Sequence, residues 1–351
     1  MTQRLRTTIK YLFSIVLTIA FLYLAFNGTD FPKLWEILSG INYWWALALF
    51  PILILSHIFR VLRWEYFLRP VKKDLRFRNL FSAIMVGYMM NNILPRAGEL
   101  VRPYTIGKLE GISRSTAFGT VLMERIFDVL SFMSLIALIP LVYSGPLTQT
   151  FPWLEQTGLW ITVITFAFLG LFVFFMLRRD ILVRILDYIT RHLSPKRAQL
   201  IERIMHSFLD GFLFLKEPKH YLMIVILSIL VWGLYIVMMY VPFYAFGLTE
   251  QYSLDLTSAL VVQAISSIGF AIPTPGATGS YHYFTIQTLT KLYGVDQEIA
   301  RSYATVTHAI GFIGITLFGI YYFLRDKLHM AEVMKEELPE KQLSTDTSHA
   351  S

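Results

Sequence analysis

The chain of 351 residues contains no cysteine, so it can form neither a disulfide framework nor a thiolate metal site. Charged residues are also scarce. Asp, Glu, Lys and Arg make up 16% of the sequence, whereas a soluble domain has about a quarter. The nucleotide-binding pattern GxxxxGK[ST] and the hydrolase patterns HExxH and GxSxG do not occur, which excludes an ATP motor within this chain. Apolar residues dominate instead, at 55% with a mean hydropathy of +0.53.

The apolar residues are concentrated in runs that approach or exceed the roughly 20 residues needed to span a bilayer as a helix. We therefore predict an all-α polytopic membrane protein with about six crossing helices. The predicted crossings lie at 12–26, 43–62, 115–140, 158–177, 221–246 and 301–324.

The crossings are predicted to form one bundle over residues 1–328, with halves at about 8–177 and 178–328. Within the second half, residues 180–216 carry apolar residues at helical spacing among basic ones. This pattern predicts amphipathic helices on the inner leaflet. The polar tail 329–351 is predicted to be disordered because it has too little apolar surface to pack.

Lys and Arg are enriched on the cytoplasmic side of a membrane protein. The net charge of +7 therefore indicates how the chain is oriented in the membrane, rather than nucleic-acid binding. Segments 63–78 and 178–220 are rich in these residues and are predicted to lie inside. Loops 27–42 and 141–157 have one or none and are predicted to lie outside. Both termini are then cytoplasmic, and the protein is expected to be integral to the inner membrane.

This topology closes only if 79–113 begins and ends inside and 256–295 begins and ends outside. Each is therefore predicted to be a re-entrant hairpin of broken helices, and the two halves to form an inverted repeat. Paired breaks in matching halves indicate the binding site of a transporter. The predicted breakpoints are Pro95, Gly98, Pro273, Pro275, Gly276 and Gly279.

Charged residues cluster at the first break. Glu99 lies three residues from both Arg96 and Arg102, so we predict that it pairs with either one on a helical face. The remaining positive charge, together with free amides where the helix restarts, would suit a phosphate headgroup. The alternative is that these charges are simply solvated at the cytoplasmic surface.

Further charges fall inside the predicted spans, where they are costly unless paired or hydrated. Glu124, Arg125 and Asp128 lie within the third crossing. Two interpretations stay open: an ion pair joining this helix to the first hairpin, or a group that responds to a proton or ligand. Arg60 and Arg63 end the second crossing and are predicted to be snorkelling anchors.

His282 and His308 are candidates for a headgroup or proton role, although a histidine inside a helix bundle is more often a hydrogen-bonded packing residue. No catalytic residue, metal ligand or cofactor site is predicted. The predicted substrate-binding residues are Asn92, Arg96, Glu99, Arg102, Tyr104, Glu124, Arg125, Asp128 and His282.

Three motifs resemble a known family. They are N-x-L-P-R-x-G-E-x-x-R over 92–102, E-R-x-x-D over 124–128 and P-x-P-G-x-x-G over 273–279. Together they resemble the flippase-like transmembrane family, the membrane region of lysylphosphatidylglycerol synthases, over about residues 10–325. The resemblance implies movement of anionic, aminoacylated or polyprenyl-linked lipids between leaflets.

We therefore predict a lipid flippase or scramblase-like transporter whose partners are membrane lipids, with no nucleic acid. An aminoacyl-transferase domain is not expected in this chain, so we predict no enzymatic activity. The alternatives are a proton-coupled transporter of a soluble anion, a non-transporting scaffold of an envelope-lipid pathway, and a lipid-phosphate enzyme using Ser280 beside His282. The oligomeric state stays open.

Overall fold

The computed structural model describes residues 3–143 and 213–328. Every regular element in these two ranges is helical, which confirms the all-α class. Nearly all of the predicted helix 158–177, most of the predicted segment 180–216 and the predicted tail 329–351 lie outside the described residues. Isolated positions are also described between the two ranges, at 163, 167, 170, 174 and 210.

The described ranges fold into α-helices joined by short turns. The first range holds α1 (Gln3–Phe26), α2 (Phe31–Gly40), α3 (Tyr43–Leu47), α4 (Leu49–Leu68), α5 (Phe77–Ile93), α6 (Gly98–Glu110) and α7 (Arg114–Val142). The second holds α8 (Tyr221–Ala245), α9 (Leu248–Gln251), α10 (Leu256–Ala271), α11 (Ser280–Tyr293) and α12 (Gln297–Arg325). Short 3₁₀ turns lie at Leu213–Lys216, Pro218–His220 and Pro275–Ala277.

Among the described residues, four helical segments are long and apolar enough to cross a membrane: α3 with α4, α7, α8 and α12. Helices α1 and α2 meet at 83°, and they make a fifth crossing if the bent pair is counted as one. Large apolar side chains on the spans face outward, for example Leu222 (71% exposed) and Leu324 (68%). The protein is thus a polytopic helical membrane protein, and the number of six crossings stays a prediction.

The predicted outer loop 27–42 contains a short helix, α2, and its location outside the membrane stays a prediction. Asp30 caps this helix by accepting a hydrogen bond from the Lys33 amide (3.1 Å). Lys33 then reaches Asp296 at the start of α12 (Nζ to Oδ2, 2.8 Å), and this hydrogen bond holds the pKa of the Asp296 carboxyl below its usual value. Helix α2 is therefore fixed to α12 at one end of the bundle.

Helices α5 and α6 form hairpin 1, and α10 and α11 form hairpin 2. Both break where a proline forces the preceding residue out of the helical conformation. Leu94, before Pro95, is extended (φ −134°, ψ 121°) and ends α5. Ile272, before Pro273, is extended as well and ends α10. The other predicted breakpoints lie at the same turns: Gly98, Pro275, Gly276 and Gly279.

Glycines let the two arms of each hairpin touch through their backbones. In hairpin 1, a Cβ atom added to Gly98 would lie 2.1 Å from the carbonyl oxygen of Gly87. In hairpin 2, a Cβ atom added to Gly269 would lie 2.8 Å from the amide nitrogen of Tyr281. Any side chain at these positions would push the arms apart.

The order of elements in the first half recurs in the second. Helices α4, α5, α6 and α7 correspond to α8, α10, α11 and α12, and α7 and α12 both have 29 residues. The packing partners recur too, since α5 packs on α12 and α10 packs on α7. The span formed by α3 and α4 runs antiparallel to α8: Trp45 on α3 stacks on Tyr244 at one end, and Tyr66 on α4 contacts His220, the residue before α8, at the other. An inverted repeat requires such an arrangement, and the inversion across a bilayer stays a prediction.

Hairpin 1 reaches about half-way along α12. Ser82, near the start of α5, donates to Asp326, just beyond the end of α12. Asn92, near the end of α5, donates to the carbonyl oxygen of Phe312 close to the middle of α12 (3.2 Å). Because α12 is a candidate span, the tip of hairpin 1 lies near half the depth of the bundle.

Candidate functional site

The tips of the two hairpins touch each other. Arg96 at tip 1 donates from Nη2 to the carbonyl oxygen of Ala271 at the end of α10 (3.2 Å). A Cβ atom added to Gly276 at tip 2 would lie 3.0 Å from the side-chain oxygen of Asn92. Both Arg96 and Gly276 have positive φ, at 62° and 55°, so the contact is made by tight turns.

Beside hairpin 1 lies a buried group of charges, which we call the ion cluster. Arg60 Nη1 is 2.5 Å from Glu124 Oε1 and 2.8 Å from Asp128 Oδ2. Arg63 Nη2 is 2.6 Å from Asp128 Oδ1, and Arg102 Nη2 is 2.6 Å from Glu124 Oε2. None of the five residues is more than 9% exposed, so these contacts are shielded from solvent and lipid.

Helical spacing explains how the sequence builds this cluster. Arg60 and Arg63 are three residues apart on α4, and Glu124 and Asp128 are four apart on α7, so each pair projects from one face. The antiparallel packing of α4 and α7 brings the two faces together, and Arg102 on α6 closes the group from hairpin 1.

Aromatic rings close the ion cluster on two sides. The guanidinium carbon of Arg102 lies 4.3 Å from the centre of the Trp64 ring, and the Trp64 indole donates to Thr120 Oγ1 (3.0 Å). Arg60 Nη2 donates to the Tyr235 hydroxyl on α8 (2.9 Å). A cation held over an aromatic face in this way is stabilised without water.

The ion cluster holds one positive charge in excess, because three arginines face two carboxylates. Several of its N–H groups are buried and have no hydrogen-bond partner among the residues that the structure describes: Arg60 Nε, Arg63 Nε, Arg102 Nε and Arg102 Nη1. An uncompensated buried charge costs several kcal/mol, and each unsatisfied buried donor costs about 1–3 kcal/mol. A bound anion would satisfy both the charge and the donors.

The cluster corrects two predicted roles. Glu99 does not pair with Arg96 or Arg102 as predicted. It faces Arg125 at the edge of the cluster (3.8 Å), because Arg102 turns towards Glu124 on α7. The alternative of an ion pair joining the third crossing to the first hairpin is therefore confirmed.

The prediction that Arg60 and Arg63 are snorkelling anchors is also wrong. They are 3% and 0% exposed, because α7 and α8 cover this face of α4. Arg63 Nη1 even reaches Ser228 Oγ on α8 (3.1 Å). The prediction of a free backbone amide where the helix restarts in hairpin 1 is wrong for Gly98, because its N–H already donates to Asn91 Oδ1 (2.7 Å).

The structure does not bring all the predicted site residues together. Asn92 and Arg96 lie at the tips, whereas Arg102, Glu124 and Asp128 lie in the ion cluster. Arg125 lies at its edge, 30% exposed with its Nη1 3.6 Å from Asp128 Oδ2. Tyr104 packs with Met90 and Leu328 instead, and His282 lies on hairpin 2 beside Phe26 and His308.

The sequence matches a known protein family over most of its length. The family described as "Lysylphosphatidylglycerol synthase TM region" matches residues 11–319. The chain belongs to this family. A UPF0104 membrane protein of Methanothermobacter thermautotrophicus is 29% identical over 272 residues, covering 74% of this chain and 78% of the relative. A UPF0104 membrane protein of Methanocaldococcus jannaschii is 23% identical over 346 residues, covering 93% and 96%.

No solved structure matches the chain. The TM-region family is named after a synthase, but neither the UPF0104 relatives nor the described residues point to an enzymatic domain. The groups needed for a serine nucleophile are engaged elsewhere. The Ser280 hydroxyl donates to Gly269 O (2.8 Å), while His282 Nδ1 accepts from the Gly279 amide (3.3 Å).

Among its described residues, the second half has no group of three arginines and two carboxylates beside its hairpin. Its buried ion pair, Arg301 Nη1 with Glu298 Oε1 (2.5 Å), lies at the start of α12 instead. Tyr281 and Thr307 share a hydrogen bond there (2.9 Å), and the His282 and His308 rings lie 4.6 Å apart. His308 Nε2 lies 2.9 Å from Gly276 O at tip 2. The two halves therefore repeat the order of their helices but differ in the number and position of their buried charges.

One functional candidate was missed at the sequence level. His57 lies one turn before Arg60 on α4 and is 4% exposed, and within 3–143 and 213–328 neither of its ring nitrogens has a hydrogen-bond partner. The signal was present in the spacing, because His57, Arg60 and Arg63 follow one another at intervals of three on one helix face. Within 3–143 and 213–328, no group of three or more His, Asp or Glu residues could hold a metal ion.

Proposed function

We propose that this protein moves an anionic, phosphate-bearing lipid between the leaflets of a membrane, as a flippase or scramblase-like transporter. The ion cluster carries the proposal. It places one excess positive charge and unpaired guanidinium donors at the middle of α7, since Asp128 is the fifteenth of its 29 residues. A lipid phosphate supplies the missing charge, and arginine is well suited to bind it.

Apolar side chains at the hairpin tips favour a lipid over a soluble anion. Ile93 and Leu100 beside tip 1 are each 54% exposed, and Phe270 at the end of α10 is 62% exposed. Such surfaces would contact acyl chains in the bilayer while the headgroup approaches Arg102. The family description, which names the synthase of a phospholipid, supports the same substrate class.

Hairpin 1 is the element whose movement would expose Arg102. Its tip is bound to hairpin 2 through Arg96 and to α12 through Asn92, so displacement of the tip is needed before a headgroup can enter. The excess charge of the cluster would then be neutralised by the lipid phosphate, which lowers the cost of holding both groups away from water.

The test is lipid translocation in reconstituted vesicles that contain fluorescent phosphatidylglycerol, with a membrane-impermeant quencher to report the outer leaflet. We expect wild-type protein to accelerate translocation and Arg102→Gln to slow it by about tenfold or more, because a charge-assisted hydrogen bond to phosphate is worth about 1.5–3 kcal/mol. The matched control is Arg69→Gln, which removes an arginine from a half-exposed pair with Glu65 at the end of α4.

Wild-type vesicles that translocate lipid no faster than protein-free vesicles would overturn the proposal. Equal rates for Arg102→Gln and Arg69→Gln would remove Arg102 from the transport path. Uptake of inorganic phosphate without lipid movement would instead establish a transporter of soluble anions.

A further inference from the structure

His57 is a buried side chain whose hydrogen-bonding capacity is unused. A neutral imidazole has one N–H donor and one acceptor nitrogen, and both nitrogens of His57 lack a partner in the described part of the chain. Leaving buried polar groups unsatisfied is costly, so a native structure rarely retains them without a ligand or a function. The ion cluster does not account for His57, because its carboxylates bind only arginines.

The surroundings of His57 connect it to Arg102. The His57 ring lies 5.2 Å from the ring of Tyr88 on α5, and the guanidinium of Arg60 lies 5.5 Å from the same ring. Arg102 contacts α5 at Gly87, the residue before Tyr88, where an added Cβ atom would lie 2.3 Å from Arg102 Cγ. His57 and Arg102 therefore approach α5 at adjacent residues from different helices, α4 and α6.

The free donors of these two residues match one kind of ligand. Arg102 donates from Nη2 to Glu124 (2.6 Å), and the N–H groups on its Nη1 and Nε have no partner among the described residues. We propose that His57 and Arg102 together form a subsite for a tetrahedral oxyanion, with the phosphate of the lipid headgroup as its ligand. The inference rests on the proposed lipid transport and names the group that is recognised.

A bridging water molecule is the simplest competing occupant. Water could satisfy the His57 and Arg102 N–H groups, as buried waters commonly do. It would leave the excess positive charge of the ion cluster uncompensated, whereas an oxyanion accepts from both residues and balances the charge. Since His57 is 4% exposed and Arg102 1%, the ligand reaches them only when α6 separates from α4.

The test compares three histidine variants of the full-length protein in detergent. His57→Phe keeps the aromatic contact with Tyr88 but removes the nitrogens, and His57→Gln restores an N–H donor. His220→Phe is the matched control, because the His220 ring also lies 5.2 Å from a tyrosine ring, that of Tyr66. Binding of short-chain phosphatidylglycerol, short-chain diacylglycerol and inorganic phosphate is measured by calorimetric titration, and thermal unfolding is followed in parallel.

We expect His57→Phe to weaken phosphatidylglycerol binding about tenfold, as the loss of a hydrogen bond to a charged group predicts. His57→Gln should stay within about threefold of wild type, and His220→Phe should match wild type. Diacylglycerol, which lacks the phosphate, should bind equally to all four proteins. Competition by inorganic phosphate that depends on His57 would also support the subsite and would show that it takes free phosphate.

Equal phosphatidylglycerol affinity for wild type and His57→Phe would overturn the subsite, as would losses of the same size for His57→Phe and His57→Gln. The vesicle assay separates this failure from failure of the proposed function. Translocation by His57→Phe at the wild-type rate with unchanged binding rejects the subsite alone, whereas His57-dependent binding without translocation by wild type rejects transport alone.

Discussion

Glu124 is the residue on which the ion cluster depends most. It lies on α7 at 0% exposure and accepts hydrogen bonds from three arginines on two other helices: Arg60 (2.5 Å), Arg63 (3.4 Å) and Arg102 (2.6 Å). The carboxylate thus offsets repulsion between cations that low-dielectric surroundings would amplify. Its position ties α4, α6 and α7 into one unit.

We predict that Glu124→Gln destabilises the protein by about 3–5 kcal/mol, because it leaves three buried guanidinium groups facing a single carboxylate. Glu65→Gln, which breaks the half-exposed pair with Arg69, should cost about 1 kcal/mol or less. The measurement is the free energy of unfolding in detergent by denaturant titration. Equal stability of the two variants would show that the cluster is hydrated rather than buried.

The sequence reveals the individual charged residues of the ion cluster but not the partners with which they pair. Arg102, Glu124 and Asp128 were identified because charges are rare in apolar runs. Arg60 and Arg63 were misassigned because they lie near the end of α4, where snorkelling is common, and only the packing of α7 and α8 shows that they are covered. Long-range pairing of this kind depends on tertiary packing, which spacing along one helix does not report.

The hairpins are the elements that local chemistry determines most directly. Prolines at 95 and 273 end α5 and α10 through the conformation they impose on the preceding residue, so both breaks were predictable from the sequence. The contact between the two arms of hairpin 1 could not be predicted from the sequence, because Gly87 and Gly98 meet only when α5 and α6 fold back on each other. Helix α2 was not predicted, because its ten residues are too few to show a clear helical repeat of apolar positions.

We predict that Gly98→Ala destabilises hairpin 1 by about 1–3 kcal/mol, because its new methyl group would overlap the Gly87 carbonyl. The control is Gly233→Ala on α8, where an added Cβ atom meets nothing within 4 Å. This control should be neutral or stabilising by up to about 1 kcal/mol through helix propensity. Both are measured as shifts in thermal unfolding, and a neutral Gly98→Ala would show that the arms do not touch.

The whole molecule combines repeated architecture with unequal chemistry. The halves share element order and packing partners, yet the ion cluster lies with α4, α6 and α7, whereas α12 holds only the single buried pair of Arg301 with Glu298 among the described residues and joins α11 in the histidine pair. Hydropathy and proline positions predict the architecture, because backbone satisfaction in a membrane permits few alternatives. The difference in polar side chains between the two halves is not constrained in this way, and only the side-chain contacts of the folded protein reveal it.

Because the chain has no cysteine, single cysteine variants can test whether each hairpin returns to the side from which it starts. Lys73→Cys and Ser113→Cys flank hairpin 1, and Gln251→Cys and Gln297→Cys flank hairpin 2. We expect a membrane-impermeant thiol reagent to label the first pair from the cytoplasmic face and the second pair from the opposite face. Labelling of the two members of one pair from opposite faces would contradict re-entry.

An anion that binds the surplus charge at the middle of α7 has to move part of the way through the membrane potential, so we expect its binding to depend on voltage. At half depth, one elementary charge experiences roughly half of the potential, or about 1.2 kcal/mol for each 100 mV. An energised bilayer would therefore act differently on the empty and the loaded protein, and occupancy of the site would vary with the electrical state of the cell.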